Sequence, residues 1–121
     1  MTDLHTHILP GIDDGAKTTE DSIRILRAEW EQGVETVVLT PHFYRDLENP
    51  AHFLKRRREA VLALGKCMMQ MSPEERNVLP RMILGAEVAW WPNLAEWSEL
   101  PELCIGETKN LLLELPVSKL I

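Results

Sequence analysis

The order of elements within the first 40 residues most constrains the fold. Asp3–Leu9 is predicted as a strand that stops at Pro10-Gly11, and Thr18 is a candidate N-cap for an amphipathic helix with apolar residues at 23, 26 and 30. Gly33 is predicted to close this helix before the β-branched strand Val34–Thr40. A strand–helix–strand crossover of this kind joins parallel strands. The sequence therefore predicts an α/β fold.

The same alternation continues through the rest of the chain. Asn49-Pro50 is a typical helix start, with Pro at the first helical position. In the helix that follows, the run Lys55–Glu59 is predicted to form mostly a solvated face. The further predicted elements are a helix from Ala51 to about Met71, a strand at Met82–Val88, a short helix over Asn93–Leu100, and a hairpin formed by Leu103–Ile105 and Leu111–Leu115.

The count of elements predicts an incomplete barrel. Four main strands and about three helices do not close a (β/α) barrel, and the chain ends in LELPVSKLI directly after a predicted parallel strand. Such an arrangement leaves a long exposed strand edge. We therefore expect residues 1–121 to be a single incomplete domain, the N-terminal half of a larger α/β barrel, with a tendency to self-associate.

Charge and composition exclude several classes of protein. The 13 basic and 19 acidic side chains give a formal net charge of −6, which disfavours nucleic acid as a partner. The sequence shows no signal peptide and no apolar run near the roughly 20 residues needed to span a bilayer, so we expect a cytoplasmic protein without membrane insertion. Cys67 and Cys104 lie outside any CxxC motif and lack the arginine six residues later that cysteine phosphatases use. Structural free thiols are the better interpretation.

Metal-competent side chains follow every predicted strand. An HxH pair on one strand face can meet one ion, although alone it is more often a surface or hydrogen-bonded pair. Taken singly, Asp14 could belong to a turn, His42 to a helix-cap contact and Glu114 to an exposed strand edge. Glu87 lies inside an apolar strand, where an acid needs a partner or a metal. Six ligands are too many for one tetrahedral zinc and suit two or three ions of manganese, iron or zinc. The predicted ligands are His5, His7, Asp14, His42, Glu87 and Glu114.

Three other features have two interpretations each. Arg45, three residues after His42, could reach a substrate phosphate or lie on the surface. The pair Trp90-Trp91 could line a pocket rim or pack in the core. His52 lies at the start of the long helix, away from the strand ends, and is expected to be exposed.

The motifs DLHTHILPGIDDGAKTTEDS, TVVLTPHFY, LGAEV and LLLELP closely resemble the PHP (polymerase and histidinol phosphatase) superfamily. Within it they are similar to the manganese-dependent tyrosine-protein phosphatases of bacterial capsule and exopolysaccharide operons. The resemblance implies a distorted (β/α)7 barrel and assigns metal ligation to the six residues above. It also implies, as substrate, the phosphotyrosine tail of a bacterial tyrosine autokinase. The chain departs from the family pattern at Phe43 and Val88-Ala89, which puts substrate contacts near Glu87 in question.

The predicted activity is phosphotyrosine hydrolysis by a metal-activated hydroxide, with no covalent phosphoenzyme. Asp14, His42 and Arg45 are the predicted catalytic residues, and Mn²⁺ is the expected cofactor. Two alternatives stay open: a phosphoesterase for a small ester such as histidinol phosphate, and a non-catalytic module that binds metal or peptide.

Overall fold

Parallel strands flanked by helices make up the computed structural model, which describes residues 1–92, 94–98 and 100–115. The described strands are β1 (Thr2–Thr6), β2 (Thr36–Leu39), β3 (His42–Phe43), β4 (Arg81–Leu84), β5 (Glu87–Ala89) and β6 (Leu112–Glu114). The helices are α1 (Thr19–Glu31), α2 (Pro50–Met69) and α3 (Pro73–Arg76), with 3₁₀ turns at Leu94–Glu96 and Leu100–Leu103. The predicted α/β class is confirmed.

The strands form two parallel sheets, ordered β1-β2-β4 and β3-β5-β6. The prediction of one strand over Met82–Val88 was wrong, because it divides into β4 and β5 in different sheets. The chain before it breaks in the same way at Pro41, which has no N–H for a strand ladder. Hydrogen bonds of 2.9 Å from Gly85 N to Leu39 O and from Glu87 N to Pro41 O hold the two breaks side by side.

The predicted C-terminal hairpin is also wrong. Strand β6 runs parallel to β5, with Glu87 opposite Leu112 and Ala89 opposite Glu114. Leu103 instead ends a 3₁₀ turn and is fully buried. The predicted helix over 93–100 is replaced by two 3₁₀ turns, with Pro92 before the first and Pro101 inside the second. Residues 93 and 99 lie outside the described part of the chain.

Helix starts follow the sequence closely. Thr18 is the N-cap of α1 and accepts a hydrogen bond from Asp21 N, while Asn49 caps α2 by accepting from His52 N. Helix α1 ends at Glu31 with Gln32 as its C-cap, one residue before the predicted Gly33, which follows with a φ of 91°. Such a left-handed residue after a helix is most easily a glycine.

Two hydrophobic clusters support the sheets. The first packs α1 and α2 against the β1-β2-β4 sheet around Leu26, Val37 and Leu64. The second surrounds Phe43 and Phe53 under the β3-β5-β6 sheet, with Trp91 and Trp97 packed against it. Trp91 therefore has the packing role, whereas Trp90 is 40% exposed.

The basic run of α2 is mostly solvated, as predicted, since Lys55, Arg58 and Glu59 are exposed. Arg56 and Arg57, however, turn inward. Arg57 donates from Nη1 to Gly85 O at 2.8 Å and from Nη2 to Glu102 O at 3.1 Å. Arg56 donates from Nη1 to Ile12 O at 2.8 Å. These arginines tie α2 to the loop after β1 and to the break between β4 and β5.

Two further observations complete the description. Cys67 and Cys104 are free thiols, as expected. Within the described residues, no helix combines the length and apolar character needed to cross a membrane.

The loop after β1 lies directly on the backbone of His7. Ala16 N donates to His7 O at 3.1 Å, and a Cβ built on Gly15 would stand 2.2 Å from the same oxygen and 2.5 Å from His7 Cβ. Since side chains never approach backbone this closely, only glycine allows the loop to pass there.

We expect Gly15→Ala to lower the free energy of unfolding by about 1–3 kcal/mol, because the loop must shift away from His7. Gly65→Ala is the matched control, since it adds the same methyl on α2 where nothing lies within 4 Å. That control should raise stability by about 0.5–1 kcal/mol. Denaturant unfolding of both variants checks this, and equal stability of Gly15→Ala and wild type would contradict the close approach.

Candidate metal centre

His5 and His7 meet at one point, although only His5 lies within a strand. His5 belongs to β1, and His7 follows its last residue. The two Nε2 atoms lie 3.1 Å apart, and the rings are at an angle of 73° with centroids 5.0 Å apart. The two-residue spacing therefore brings both imidazoles to one position, as the sequence predicts.

Glu87 lies at the centre of the site. Its Oε1 is 2.9 Å from His5 Nε2, 3.1 Å from His7 Nε2 and 3.2 Å from His42 Nδ1. The residue is only 8% exposed and begins β5, rather than ending a strand as predicted. The break after β4 therefore directs this carboxylate toward the histidines.

His42 occupies the equivalent position on the neighbouring chain segment. It begins β3, and its Cα is the register partner of Glu87. Its ring stacks on His7, with centroids 4.4 Å apart, and on Tyr44, with centroids 5.4 Å apart. The prediction that His42 follows β2 is confirmed, with the difference that a new strand starts there.

Glu114 closes the far side of the cluster. Its Oε2 lies 3.5 Å from His42 Nδ1, is buried, and has no hydrogen-bond partner among the described residues. An unpaired buried carboxylate oxygen is costly. Its position beside two other ligand-type groups suits a bound cation.

The two aspartates of the loop have different surroundings. Asp14, the predicted ligand, has a side chain that is 84% exposed, with Oδ1 3.6 Å from His42 Nε2. The side chain of Asp13 is only 7% exposed, and its Oδ2 lies 3.1 Å from His7 Nδ1. The sequence does not single out Asp13, since in a DDG turn only the loop geometry shows which carboxylate faces inward.

The donor atoms fall into three groups able to hold a metal ion, within each of which all ligand atoms lie inside 4.8 Å of one another. Imidazole nitrogens and carboxylate oxygens suit manganese, iron and zinc. Shared members link the groups, as a cluster of neighbouring ions requires. The groups are His5, His7 and Glu87; His7, Asp13 and His42; and His42, Glu87 and Glu114.

The electrostatics of the site also favour a cation. Burial raises the pKa of the Tyr44 phenol, and the charges of Glu114, Glu87 and Asp14 raise it further. A phenol responds in this way when negative charge around it is not fully neutralised. The carboxylates therefore create a field that attracts positive ions.

Arg45 is directed away from the cluster. Its guanidinium lies over the Trp91 ring, 5.4 Å from the centroid. Among the described residues it forms no ion pair with the site carboxylates. The structure therefore brings together five of the six predicted ligands, His5, His7, His42, Glu87 and Glu114. Asp14 lies at the edge of the cluster, outside these groups, and Arg45 does not reach it.

A cleft of about 530 Å³ opens beside the cluster. Asp14, His42 and Tyr44 line its inner side, and Leu47 and His52 line its outer side. His52 is exposed, as expected, and lies 2.8 Å from Glu48. The cleft gives a ligand access to the histidines and carboxylates.

Comparison with known proteins identifies the family. The family model for capsular polysaccharide synthesis, CpsB/CapC, matches residues 1–120. The chain belongs to the CpsB/CapC family. This confirms the family resemblance read from the sequence motifs.

Relatives of this CpsB/CapC chain are named as tyrosine phosphatases. It is 34% identical to tyrosine-protein phosphatase YwqE of Bacillus subtilis over 96% of this chain and 43% of that protein. It is 27% identical to tyrosine-protein phosphatase CpsB of Streptococcus agalactiae, over 94% of this chain and 44% of that protein. The chain thus spans less than half the length of these relatives.

A solved structure of such phosphatases also matches this chain. It belongs to a study of YwqE from Bacillus subtilis and CpsB from Streptococcus pneumoniae, described as metal-dependent tyrosine phosphatases. The match has a TM-score of 0.72 at 30% identity and covers 96% of this chain and 44% of the solved one. The α/β arrangement described above is therefore shared with these enzymes.

Arg56 in the cleft wall forms an ion pair with Glu48, just before α2, and also contacts the loop of the two aspartates. Arg56 donates to Glu48 from Nη2 at 2.6 Å and from Nε at 3.0 Å, besides its bond to Ile12 O. Burial alone would raise the pKa of Glu48, but hydrogen bonds from Arg56 and His52 outweigh it and hold the pKa below its usual range.

We expect Arg56→Met to lower the free energy of unfolding by about 1–2 kcal/mol at neutral pH. A bidentate, partly buried ion pair stabilises the fold more than an exposed ion pair does. A depressed carboxyl pKa stabilises the fold above the unfolded-state pKa of roughly 4.3, and this contribution is lost as the pH falls through the lower folded-state pKa. The difference between wild type and variant should therefore shrink in acid.

Urea unfolding between neutral pH and about pH 3 measures the effect, with Arg58→Met, an exposed neighbour on α2, as control. A variant that loses no more stability than Arg58→Met would show that the pair does not hold the loop.

Proposed function

We propose that the protein containing this chain is a metal-dependent protein-tyrosine phosphatase whose cations are held by His5, His7, Asp14, His42, Glu87 and Glu114. One observation carries the proposal: three imidazole nitrogens lie within 3.2 Å of a single buried carboxylate oxygen of Glu87. Imidazole nitrogens and a carboxylate oxygen gathered at one point form a donor set that suits manganese, iron or zinc. The names of the relatives, tyrosine-protein phosphatases, support the substrate class.

The proposed cofactor is Mn²⁺, as two or three ions, with iron or zinc also compatible with the donor set. His5, His7 and Glu87 would hold one ion, and His42, Glu87 and Glu114 a second. Glu87, present in both groups, would bridge them. The description of the solved relatives as metal-dependent supports this assignment.

Bound divalent ions would lower the pKa of water and offset negative charge on the phosphoryl oxygens. The chain's own contribution is positioning. His42 and Asp14 face the cleft and would orient the phosphate, while the strand ends hold the histidines on a rigid frame. Arg45 would have to leave Trp91 to contact a phosphate, and its exposed position permits that movement.

We infer that residues 1–121 form the N-terminal half of a distorted (β/α)7 barrel of the PHP type, a single incomplete domain. Strands β1 and β6 each pair on one side only among the described residues. The coverage of 43–44% of the relatives' length is in keeping with half a barrel. Open edges of this kind also favour self-association.

The proposed substrate is the phosphotyrosine tail of a bacterial tyrosine autokinase, reached from the cytoplasm. The family description, capsular polysaccharide synthesis, supports this setting. The cleft beside His42 is open to solvent and offers Tyr44 and Leu47 as surfaces for an aromatic side chain.

We expect the full-length protein to release phosphate from a phosphotyrosine peptide with Mn²⁺ present, to lose that activity with a chelator, and to turn over histidinol phosphate far more slowly. Phosphate release measures both substrates. Faster turnover of histidinol phosphate would favour a small-ester phosphatase, and peptide binding without hydrolysis a non-catalytic module.

In the same assay, His5→Ala and His7→Ala should lower metal content and activity together by at least about tenfold, because each removes a ligand. His52→Ala is the matched control for metal content, since His52 is exposed, pairs with Glu48 and belongs to none of the ligand groups. Unchanged metal content in both ligand variants, measured by elemental analysis, would remove this site from the proposal.

A further inference from the structure

Asp13 lies behind the histidines and contacts two of them from the side opposite Glu87. Its Oδ2 is 3.1 Å from His7 Nδ1 and accepts from His42 N at 3.2 Å, while Oδ1 accepts from Gly15 N at 2.9 Å. One carboxylate thus joins β1's end, the following loop and the start of β3. None of these contacts involves the side of the imidazoles that faces Glu87.

These contacts determine which nitrogen of His7 carries the proton. A carboxylate that accepts two backbone N–H groups has only acceptor positions to offer, so His7 Nδ1 must donate to it. A neutral imidazole has a single N–H. His7 Nε2 is therefore left as a bare lone pair, 3.1 Å from Glu87 Oε1.

The opposite tautomer is less favourable for a local reason. With the proton on Nε2, the Nδ1 lone pair of His7 would face the Asp13 carboxylate. Glu87 Oε1, by contrast, has two other imidazoles as possible donors, His5 at 2.9 Å and His42 at 3.2 Å. A proton on His7 Nδ1, hydrogen-bonded to Asp13, is therefore more favourable than a proton on Nε2, hydrogen-bonded to Glu87.

We propose that Asp13 is a positioning residue that holds His7 in the Nδ1–H tautomer and so presents Nε2 to a divalent cation. The inference rests on the proposed metal site and adds to it a residue that does not itself bind the ion. Carboxylates that accept the second N–H of a ligand histidine fix its orientation and raise its basicity. Asp14, with its exposed carboxylate near His42, keeps the role of ligand.

The first experiment measures the tautomer of His7 with Asp13 unchanged. Long-range ¹H–¹⁵N spectra of the metal-free full-length protein, at about pH 8.5 where an ordinary imidazole is neutral, distinguish the tautomers. His7 is assigned by comparison with His7→Gln. A predominant Nδ1–H form supports the proposal. A predominant Nε2–H form overturns it and favours Asp13 as a direct ligand, and a His7 protonated on both nitrogens at this pH also overturns it.

The second experiment separates positioning from a structural role. Asp13→Asn should shift His7 toward the Nε2–H form and weaken Mn²⁺ binding about 10- to 100-fold by calorimetry, because an amide places N–H groups where only acceptors were. Asp46→Asn, an exposed acid on the loop after β3, is the charge control and should change neither. A variant with a lower melting temperature but wild-type tautomer and Mn²⁺ affinity would contradict the proposal.

The outcomes distinguish this inference from the proposed function. A protein with the Nδ1–H tautomer, and with Mn²⁺ binding that depends on Asp13, supports the inference even if it does not hydrolyse phosphotyrosine. A protein that hydrolyses phosphotyrosine but has His7 in the Nε2–H form overturns the inference alone. If Asp13→Asn does not fold, the wild-type spectrum decides.

Discussion

The convergence of three imidazoles on Glu87 is the constraint on which the rest of the structure depends. The three nitrogen atoms lie 2.9–3.2 Å from Oε1, and the glutamate is almost fully buried. A buried carboxylate without compensating positive charge costs several kcal/mol. The backbone and the packing of the fold therefore hold the Glu87 carboxylate in place. The cluster is suited to a cation, which supplies the positive charge that the carboxylate lacks.

The strand breaks create this arrangement. Continuous strands would direct successive side chains to alternate faces, whereas the breaks at Pro41 and Gly85 start new strands at His42 and Glu87 in register with each other. Helix α2 holds the same region from outside, since Arg57 donates to Gly85 O. Arg56 likewise donates to Ile12 O, just before the aspartates. The helix and the sheets together fix the segments that carry the clustered histidines and carboxylates.

Much of this could be predicted from residue patterns, and the failures have physical causes. Thr18 and Asn49 are recognisable in the sequence as caps. Five clustered residues, His5, His7, His42, Glu87 and Glu114, also stand out because they interrupt or follow apolar strands. The division of Met82–Val88 is not recognisable, since β4 and β5 are both apolar and only pairing with two different neighbours separates them. The parallel course of β6 was missed because a short connection normally predicts a hairpin. The inward placement of Asp13, Arg56 and Arg57 depends on how the loop and helix α2 are oriented. The local sequence does not specify that orientation.

The most direct test of the account is anomalous X-ray scattering from crystals of the protein grown with manganese. If the clusters hold manganese, as the account predicts, anomalous peaks will lie between His5, His7 and Glu87 and between His42, Glu87 and Glu114. Peaks confined to exposed acidic side chains, or no peak while the three imidazoles stay hydrogen-bonded around Glu87, would contradict it.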